Sequence, residues 1–311
     1  MRIATIDIGT NTTLLLVADC SEDRVRVLCE RAEITRLGRG IGADGGLGQL
    51  GIEHTLAALG DYAALAAQHG ASIFAIGTEA LRRAPNARDF LDAAAHILGT
   101  PVEVIDGERE AALTYVAAAH SFPQETQGTA VVIDIGGGST EIIVAQSGHM
   151  EFRRSLPLGS VRLTEKLVHS DPATPAEVAA IVAEVDSRLT SVPFPAGPAT
   201  LIGTAGTVTT MAAMALHLQS YEPARVHGYC LRRPELERQI DRLRASTHAD
   251  RDSMAGLDPK RADVILAGAC ILDRIAVAAH ADEILVSDRG IRWGLLIERL
   301  LATTGRVPAL S

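Results

Sequence analysis

Lysine is almost absent from this chain. Of its 29 basic side chains only Lys166 and Lys260 are lysines, so arginine carries nearly all the positive charge. The guanidinium fork suits bidentate phosphate contacts. A GC-rich coding sequence, which also inflates alanine, accounts for the total without any function. Cysteine is scarce too: Cys20, Cys29, Cys230 and Cys270 are scattered, with no C-x-x-C pair and no Cys/His spacing suited to zinc. The ten histidines show no metal spacing either, so no transition-metal site is expected. No apolar run reaches the length that spans a bilayer. Met1-Arg2 leads straight into a strand, without the apolar region or cleavage site of a signal peptide. These absences predict a reduced, cytoplasmic protein with no membrane partner. A formal charge of −9 argues against a nucleic-acid partner, which wants a basic face. It leaves room for a small polyanion, because a cleft can be positive on an acidic body. At 311 residues and 47% hydrophobic content, the chain has material for two globular domains.

What the chain does have is one turn written twice. A strand ends in Asp7-Ile8-Gly9-Thr10-Asn11-Thr12 and returns as Leu14-Leu15-Leu16-Val17. A second strand, Val131-Val132-Ile133, ends in Asp134-Ile135-Gly136-Gly137-Gly138-Ser139-Thr140-Glu141 and returns as Ile142-Ile143-Val144. Glycine lets the backbone approach an anion with no Cβ in the way, and successive N–H groups in such a turn form an anion nest. A leading Asp repels phosphate oxygens, so its natural task is to hold Mg²⁺ or water. One Asp-x-Gly turn by itself is equally a tight hairpin. Three consecutive glycines cost conformational entropy unless the backbone must be bare there. The pair points to two related halves facing a phosphate-filled cleft.

The remaining pattern is α/β. Strands are predicted at 3–8, 12–19 and 24–31, followed by a Gly-rich loop over 38–51 and a helix to about Gln68. A strand at 72–77 meets Thr78, a credible N-cap for a helical turn at 79–83. Further helices are expected at 86–98 and 108–119, with a strand at 102–105. Residues 121–128, with Pro123, read as a linker. Strands then follow at 130–134, 140–145 and 150–156, and helices at 160–168 and 175–191. A strand at 200–203 enters the turn Thr204-Ala205-Gly206-Thr207 and another helix. One long helical stretch covers 259–280, ahead of a strand at 283–287 and a closing helix at 290–301. The domains are 1–124 and 125–311, with the last helix open to packing back on the first domain.

With these blocks in view, the chain resembles the exopolyphosphatase and guanosine pentaphosphate phosphohydrolase family, within the actin-like ATPase superfamily of sugar kinases and heat-shock chaperones. The resemblance runs from Met1 to about Leu300. It rests on both turns, on Gly77-Thr78-Glu79-Ala80-Leu81-Arg82, on Gly107-Glu108-Arg109-Glu110-Ala111, on Gly203-Thr204-Ala205-Gly206-Thr207 and on Ser287-Asp288-Arg289-Gly290-Ile291-Arg292. The implied fold is two ribonuclease-H-like domains around an interdomain cleft. The implied activity is removal of the terminal phosphate of inorganic polyphosphate, or conversion of guanosine pentaphosphate to tetraphosphate. An ATP-dependent small-molecule kinase and a non-catalytic nucleotide-sensing module stand as alternatives on the same fold. Longer family members carry additional C-terminal helical domains. This chain ends soon after Leu301, so short substrates and a possible homodimer that restores the grip on long ones are expected.

The resemblance also assigns roles. Glu110 maps to the general base, where a carboxylate orients water and takes its proton. Its residues alone read first as an acidic opening helical turn that faces solvent, and the resemblance reverses that reading. Arg82 maps to the cationic phosphate contact, while its neighbour Arg83 reads as an exposed helix residue. Gly9, Thr10, Asn11, Thr12, Gly136, Gly137, Gly138, Ser139, Gly206 and Thr207 are the candidate phosphate-binding residues. Asp7, Asp134 and Glu141 are the candidate ligands for Mg²⁺, for which Mn²⁺ can substitute. Glu141 is either a metal ligand or the partner of a nearby arginine. Arg36 and Arg39 either guide a polyanion or are solvated loop residues, and Asp288 reads first as a helix N-cap.

Overall fold

Strands β1 (Arg2–Ile8) and β2 (Thr13–Cys20) are apolar on both faces because both faces are covered. Ala4, Ile6, Leu15 and Val17 join one core, with Leu59 and Tyr62 of α1 (Gln49–Gln68) and Phe90 of a later helix. Their alternates Ile3, Leu16 and Ala18 join another, with Trp293, Leu296 and Leu300 from near the end of the chain. The structure, a computed structural model, describes residues 1–21, 24–41, 45–305 and 309–310. Residues 42–44 of the expected Gly-rich loop lie outside the described residues.

The described chain divides into two units, 1–120 with 291–311 and 121–290. In the first, β3 (Arg24–Glu33) completes an antiparallel meander, and α1 leads to β4 (Ser72–Gly77), which lies parallel to β1. Then come α2 (Glu79–Arg83), α3 (Ala87–Leu98), β5 (Val102–Val104) and α4 (Gly107–Ser121). In the second unit, α5 (Pro123–Gln127) precedes β6 (Thr129–Ile135), β7 (Thr140–Gln146) and β8 (His149–Leu156). It continues with α6 (Ser160–Leu167), α7 (Pro175–Leu189), β9 (Thr200–Thr204), α8 (Ala205–Ala215) and α9 (Pro223–Val226). The rest is β10 (Cys230–Arg232), α10 (Arg233–Ala245), α11 (His248–Arg251), α12 (Ile265–Ala278) and β11 (Glu283–Val286). The chain closes with α13 (Ile291–Thr304) and β12 (Ala309–Leu310).

The two sheets have one plan. The first runs β12-β3-β2-β1-β4-β5 and the second, read the same way, β8-β7-β6-β9-β11-β10. In each, three strands form an antiparallel meander and the next two lie parallel to its first strand. This is the ribonuclease-H-like arrangement expected for an actin-like α/β chain, present in both units. Helix α13 is grouped with the first unit, so the second unit ends at Gly290 and not at Ser311. The physical reason is the apolar stripe of Trp293, Leu296 and Leu300 on the β1–β2 face. Gly294 lets α13 touch α4: a Cβ there would stand 2.0 Å from the Leu113 carbonyl oxygen.

Three local expectations are corrected. The linker at 121–128 holds a helix, α5, opened by Pro123 at a position where its missing N–H costs nothing. The stretch 259–280 is broken: Asp258 caps a 3₁₀ turn at Pro259–Arg261, and α12 begins only at Ile265. Thr78 stands at the N-cap of α2 without capping it, its hydroxyl donating instead to the Ile8 carbonyl at 3.5 Å. Among the described residues no helix is long and apolar enough to cross a membrane.

Candidate functional site

The candidate residues of the first unit gather at the carboxyl ends of its parallel strands, where open α/β sheets place ligands. Ile8 of β1 pairs with Gly77 of β4, and the Ile105 N–H donates to the Gly77 carbonyl, bringing Asp7, Thr78 and the start of α4 to one edge. The first turn is closed by the Gly9 N–H donating to the Thr12 carbonyl at 3.1 Å. A Cβ at Gly9 would lie 2.8 Å from that oxygen, which is why glycine stands there. Backbone N–H groups of Gly38 and Arg36 hold the Thr10 and Asn11 carbonyls at 2.8 and 3.0 Å. Because N–H and C=O point opposite ways in a trans peptide, the Asn11 and Thr12 N–H groups face away from that segment. The Thr10 side chain turns inward, with its hydroxyl donating to Glu79 Oε2 at 3.4 Å. Asn11 is 6% exposed, and its Nδ2 has no hydrogen-bond partner among the described residues. A buried amide donor of that kind is expensive unless a ligand meets it.

Glu110 sits on the first turn of α4 but is only 8% exposed, so the reading of a solvent-facing acid does not hold. Arg82 of α2 donates through Nη1 to Glu110 Oε2 at 2.8 Å and to the Ile105 carbonyl at 2.7 Å. The charged hydrogen bond fixes the carboxylate, and the second acceptor fixes the arginine. Arg83 is half-exposed and pairs with Glu79 at 3.0 Å. Next to Glu110, Arg109 pairs with Glu298 of α13, which pins the first turn of α4.

The second turn follows the same plan. The Gly136 N–H donates to the Ser139 carbonyl at 3.0 Å. The start of α6 then covers one side of the loop: Ser160 N–H donates to Gly136 O at 3.0 Å, and Val161 and Arg162 N–H to Gly137 O at 3.0 and 3.1 Å. With those carbonyls occupied, the Gly137 and Gly138 N–H groups point to the other side as paired donors. Gly159 makes this approach possible, since a Cβ there would be 2.2 Å from the Gly137 oxygen. Nothing in the local sequence marks Gly159, because its partner is 22 residues upstream.

Asp134 and Glu141 are direct partners across the β6–β7 ladder, so both carboxylates share one face. Both are buried, and Ser155 Oγ donates to Glu141 Oε1 at 2.6 Å. On the other side Asp134 is the register partner of Thr204 on β9. Thr204 is 3% exposed and its hydroxyl has no partner among the described residues. Gly290 leaves space here: a Cβ would stand 3.4 Å from Thr204 Oγ1 and 4.0 Å from Asp134 Oδ2. Among the described residues no cluster of three or more His, Cys, Asp or Glu could cage a metal ion. A buried carboxylate pair with a hydroxyl on the neighbouring strand fits Mg²⁺, which takes one or two carboxylates and keeps waters and phosphates. Asp7 occupies the equivalent strand end in the first unit, where its ladder partner is Leu14 instead of an acid.

The third loop joins β9 to α8. Ala205 adopts a left-handed backbone (φ 68°), unusual for a residue with a side chain and typical of strained functional turns. The Arg261 guanidinium lies on Gly206, where a Cβ would be 2.1 Å from Nη1. Burial pushes the Arg261 pKa down, with Asp258 and Tyr221 opposing. The Thr207 side chain packs against Gly268 of α12, where a Cβ would stand 2.6 Å from Thr207 Oγ1. Helix α13 starts at Ile291; Asp288, three residues before it, accepts the Tyr221 hydroxyl while its N–H donates to His227 Nδ1 at 3.3 Å. His227 stacks on Phe122 (ring centroids 5.0 Å apart), and burial, helped by Arg289, pushes its pKa down to about 4.

A model of the Ppx/GppA phosphatase family matches residues 16–303. Exopolyphosphatase 2 of Mycobacterium tuberculosis is 34% identical over 95% of this chain and 98% of its own length. The crystal structure of the Aquifex aeolicus Ppx/GppA family member is 34% identical, covering 98% of this chain and 99% of that one with a TM-score of 0.83. That of an exopolyphosphatase from Cytophaga hutchinsonii is 28% identical and covers both chains fully, with a TM-score of 0.88.

Proposed function

The chain belongs to the Ppx/GppA phosphatase family, and from that premise we propose that it is an exopolyphosphatase, a hydrolase that removes the terminal phosphate of inorganic polyphosphate. The observation that carries the reading is Glu110, a buried carboxylate held by Arg82 at the same sheet edge as the first glycine turn. A phosphoanhydride needs little covalent chemistry from a protein; it needs positioned phosphates, charge stabilisation and an oriented water. In this reading the N–H groups of each glycine turn are donors for phosphate oxygens. Asn11 Nδ2 adds a donor, and Arg82 offers its remaining N–H groups to the terminal phosphate. The Glu110 carboxylate, held by Arg82, orients the attacking water in this reading and accepts its proton. Asp134 and Glu141 would hold Mg²⁺, which neutralises charge on the phosphate chain when bound. Guanosine pentaphosphate ends in the same phosphoanhydride, so its conversion to tetraphosphate belongs to the same proposal, as do a cytoplasmic setting and a homodimer that extends the grip on long chains.

Phosphate release from the purified protein tests this, with polyphosphate, guanosine pentaphosphate and ATP plus sugars supplied separately in Mg²⁺ buffer. Release from polyphosphate is the expected result. Phosphate transfer to a sugar with none to water would establish a kinase instead.

A further inference from the structure

The two turns are one device built twice, and their comparison isolates a single side chain. Gly9 and Gly136 occupy equivalent places, each donating its N–H to the carbonyl three residues on. Thr10 then matches Gly137, Asn11 matches Gly138 and Thr12 matches Ser139. In the first turn both inner carbonyls are held by backbone: Thr10 O by the Gly38 N–H and Asn11 O by the Arg36 N–H. In the second turn backbone holds Gly137 O, but among the described residues no backbone N–H reaches Gly138 O. Arg162 Nε donates to it instead, at 2.7 Å.

That peptide has particular need of an anchor. Gly138 has no Cβ to restrain its ψ, so the orientation of the Gly138–Ser139 peptide depends on what its carbonyl meets. Holding its carbonyl fixes the opposite direction for the Ser139 N–H. The placement of Arg162 is itself informative. It lies in the first turn of α6, where the helix dipole disfavours a cation, and the Gly138 carbonyl offsets that penalty.

We propose that Arg162 is a positioning residue of the second turn, its guanidinium aiming the Ser139 N–H so that it joins those of Gly137 and Gly138 on the phosphate chain. The inference rests on the exopolyphosphatase reading for the identity of the ligand; the geometry stands apart from it. Arg162 acts through the peptide and does not touch phosphate.

Amide NMR on deuterated, amide-protonated protein titrated with inorganic tripolyphosphate tests this, alongside turnover on polyphosphate. In the wild type the Gly137, Gly138 and Ser139 amides should all respond. R162M keeps the aliphatic stem and removes the donor. It should retain the Gly137 response, lose that of Ser139 and bind tripolyphosphate about ten- to a hundredfold more weakly, the range for one hydrogen bond to a charged group. R162K, whose ammonium can still reach the carbonyl, should recover most of the affinity and the Ser139 response. An unchanged Ser139 response in R162M overturns the proposal, whether affinity holds or falls. So does loss of all three responses together, which is collapse of the turn, and so do wild-type amides that ignore tripolyphosphate. Wild-type amides that respond while no phosphate leaves polyphosphate would sink the hydrolase reading alone.

Discussion

Glu110 and His227 show how burial sets what one side chain can do. An acid on the first turn of a helix ordinarily faces water, where the helix dipole already favours it. Glu110 is instead covered and held by Arg82, an arrangement that costs desolvation and is kept where a carboxylate must hold one orientation. Glu110→Gln preserves the shape and accepts no proton. It should cut turnover by roughly a hundredfold to ten-thousandfold while tripolyphosphate binding is retained. Steady-state rates beside calorimetric binding decide it, and turnover within a few-fold of wild type would remove Glu110 from the mechanism. His227 gives a pH signature. Its folded pKa of about 4 lies below the ordinary 6.5, so the unfolded chain takes up its proton first. The stability tied to neutral His227 is complete above pH 6.5 and is lost as pH falls towards 4. His227→Gln should flatten that part of a chemical-denaturation profile across pH, and an unaltered slope would show that the imidazole titrates as if exposed.

At the level of elements, the loops work because other segments hold their carbonyls. The start of α6 covers one side of the triple-glycine turn, and Gly159 is the residue that lets it approach. Gly159→Ala would drive a methyl into the Gly137 carbonyl, and overpacking of that kind costs about 1–3 kcal/mol. Tripolyphosphate affinity and turnover should fall together, with a lower Tm; a variant with wild-type KM would show that the turn does not depend on α6. The two turns themselves are legible in the sequence, because Asp and Gly at a strand end carry their geometry locally. So are β1, β2, β6 and β7, whose apolar runs follow from sheets covered on both faces. Gly159, Arg162, Glu79 and Arg261 are not legible as site residues, since each meets its turn only after long stretches of chain have folded. The burial of Glu110 is hidden for the same reason: the Arg82 that covers it belongs to a different helix. Pro123 reads as a loop signal although it opens a helix, and the 3₁₀ turn at Pro259–Arg261 sits inside what looks like one continuous helical pattern.

For the molecule as a whole, the Asp134–Glu141 pair links function to stability. Acids directly opposite each other across an antiparallel ladder repel, and here both are buried beside the partnerless Thr204 hydroxyl. In the proposed role a divalent cation bound at this pair offsets the charge of both carboxylates. A ligand that binds only the folded state raises stability by mass action. Mg²⁺ should therefore raise the Tm of the wild-type protein, Mn²⁺ should substitute, and a chelator should abolish both the rise and the turnover. Asp134→Asn removes one of the repelling charges. It should melt at a higher temperature than wild type in chelated buffer, fail to respond to Mg²⁺, and lose turnover on polyphosphate. Thermal melts with and without 10-fold excess chelator, run beside the phosphate-release assay, separate these effects. A wild-type Tm indifferent to Mg²⁺ at millimolar concentration would remove the cation from this pair. An Asp134→Asn variant less stable than wild type without metal would mean that the carboxylate is held by hydrogen bonds worth more than the repulsion it suffers. If the proposed cation site holds, the stability that Asn adds is what Asp134 forgoes for it, a trade common where a site must keep like charges together.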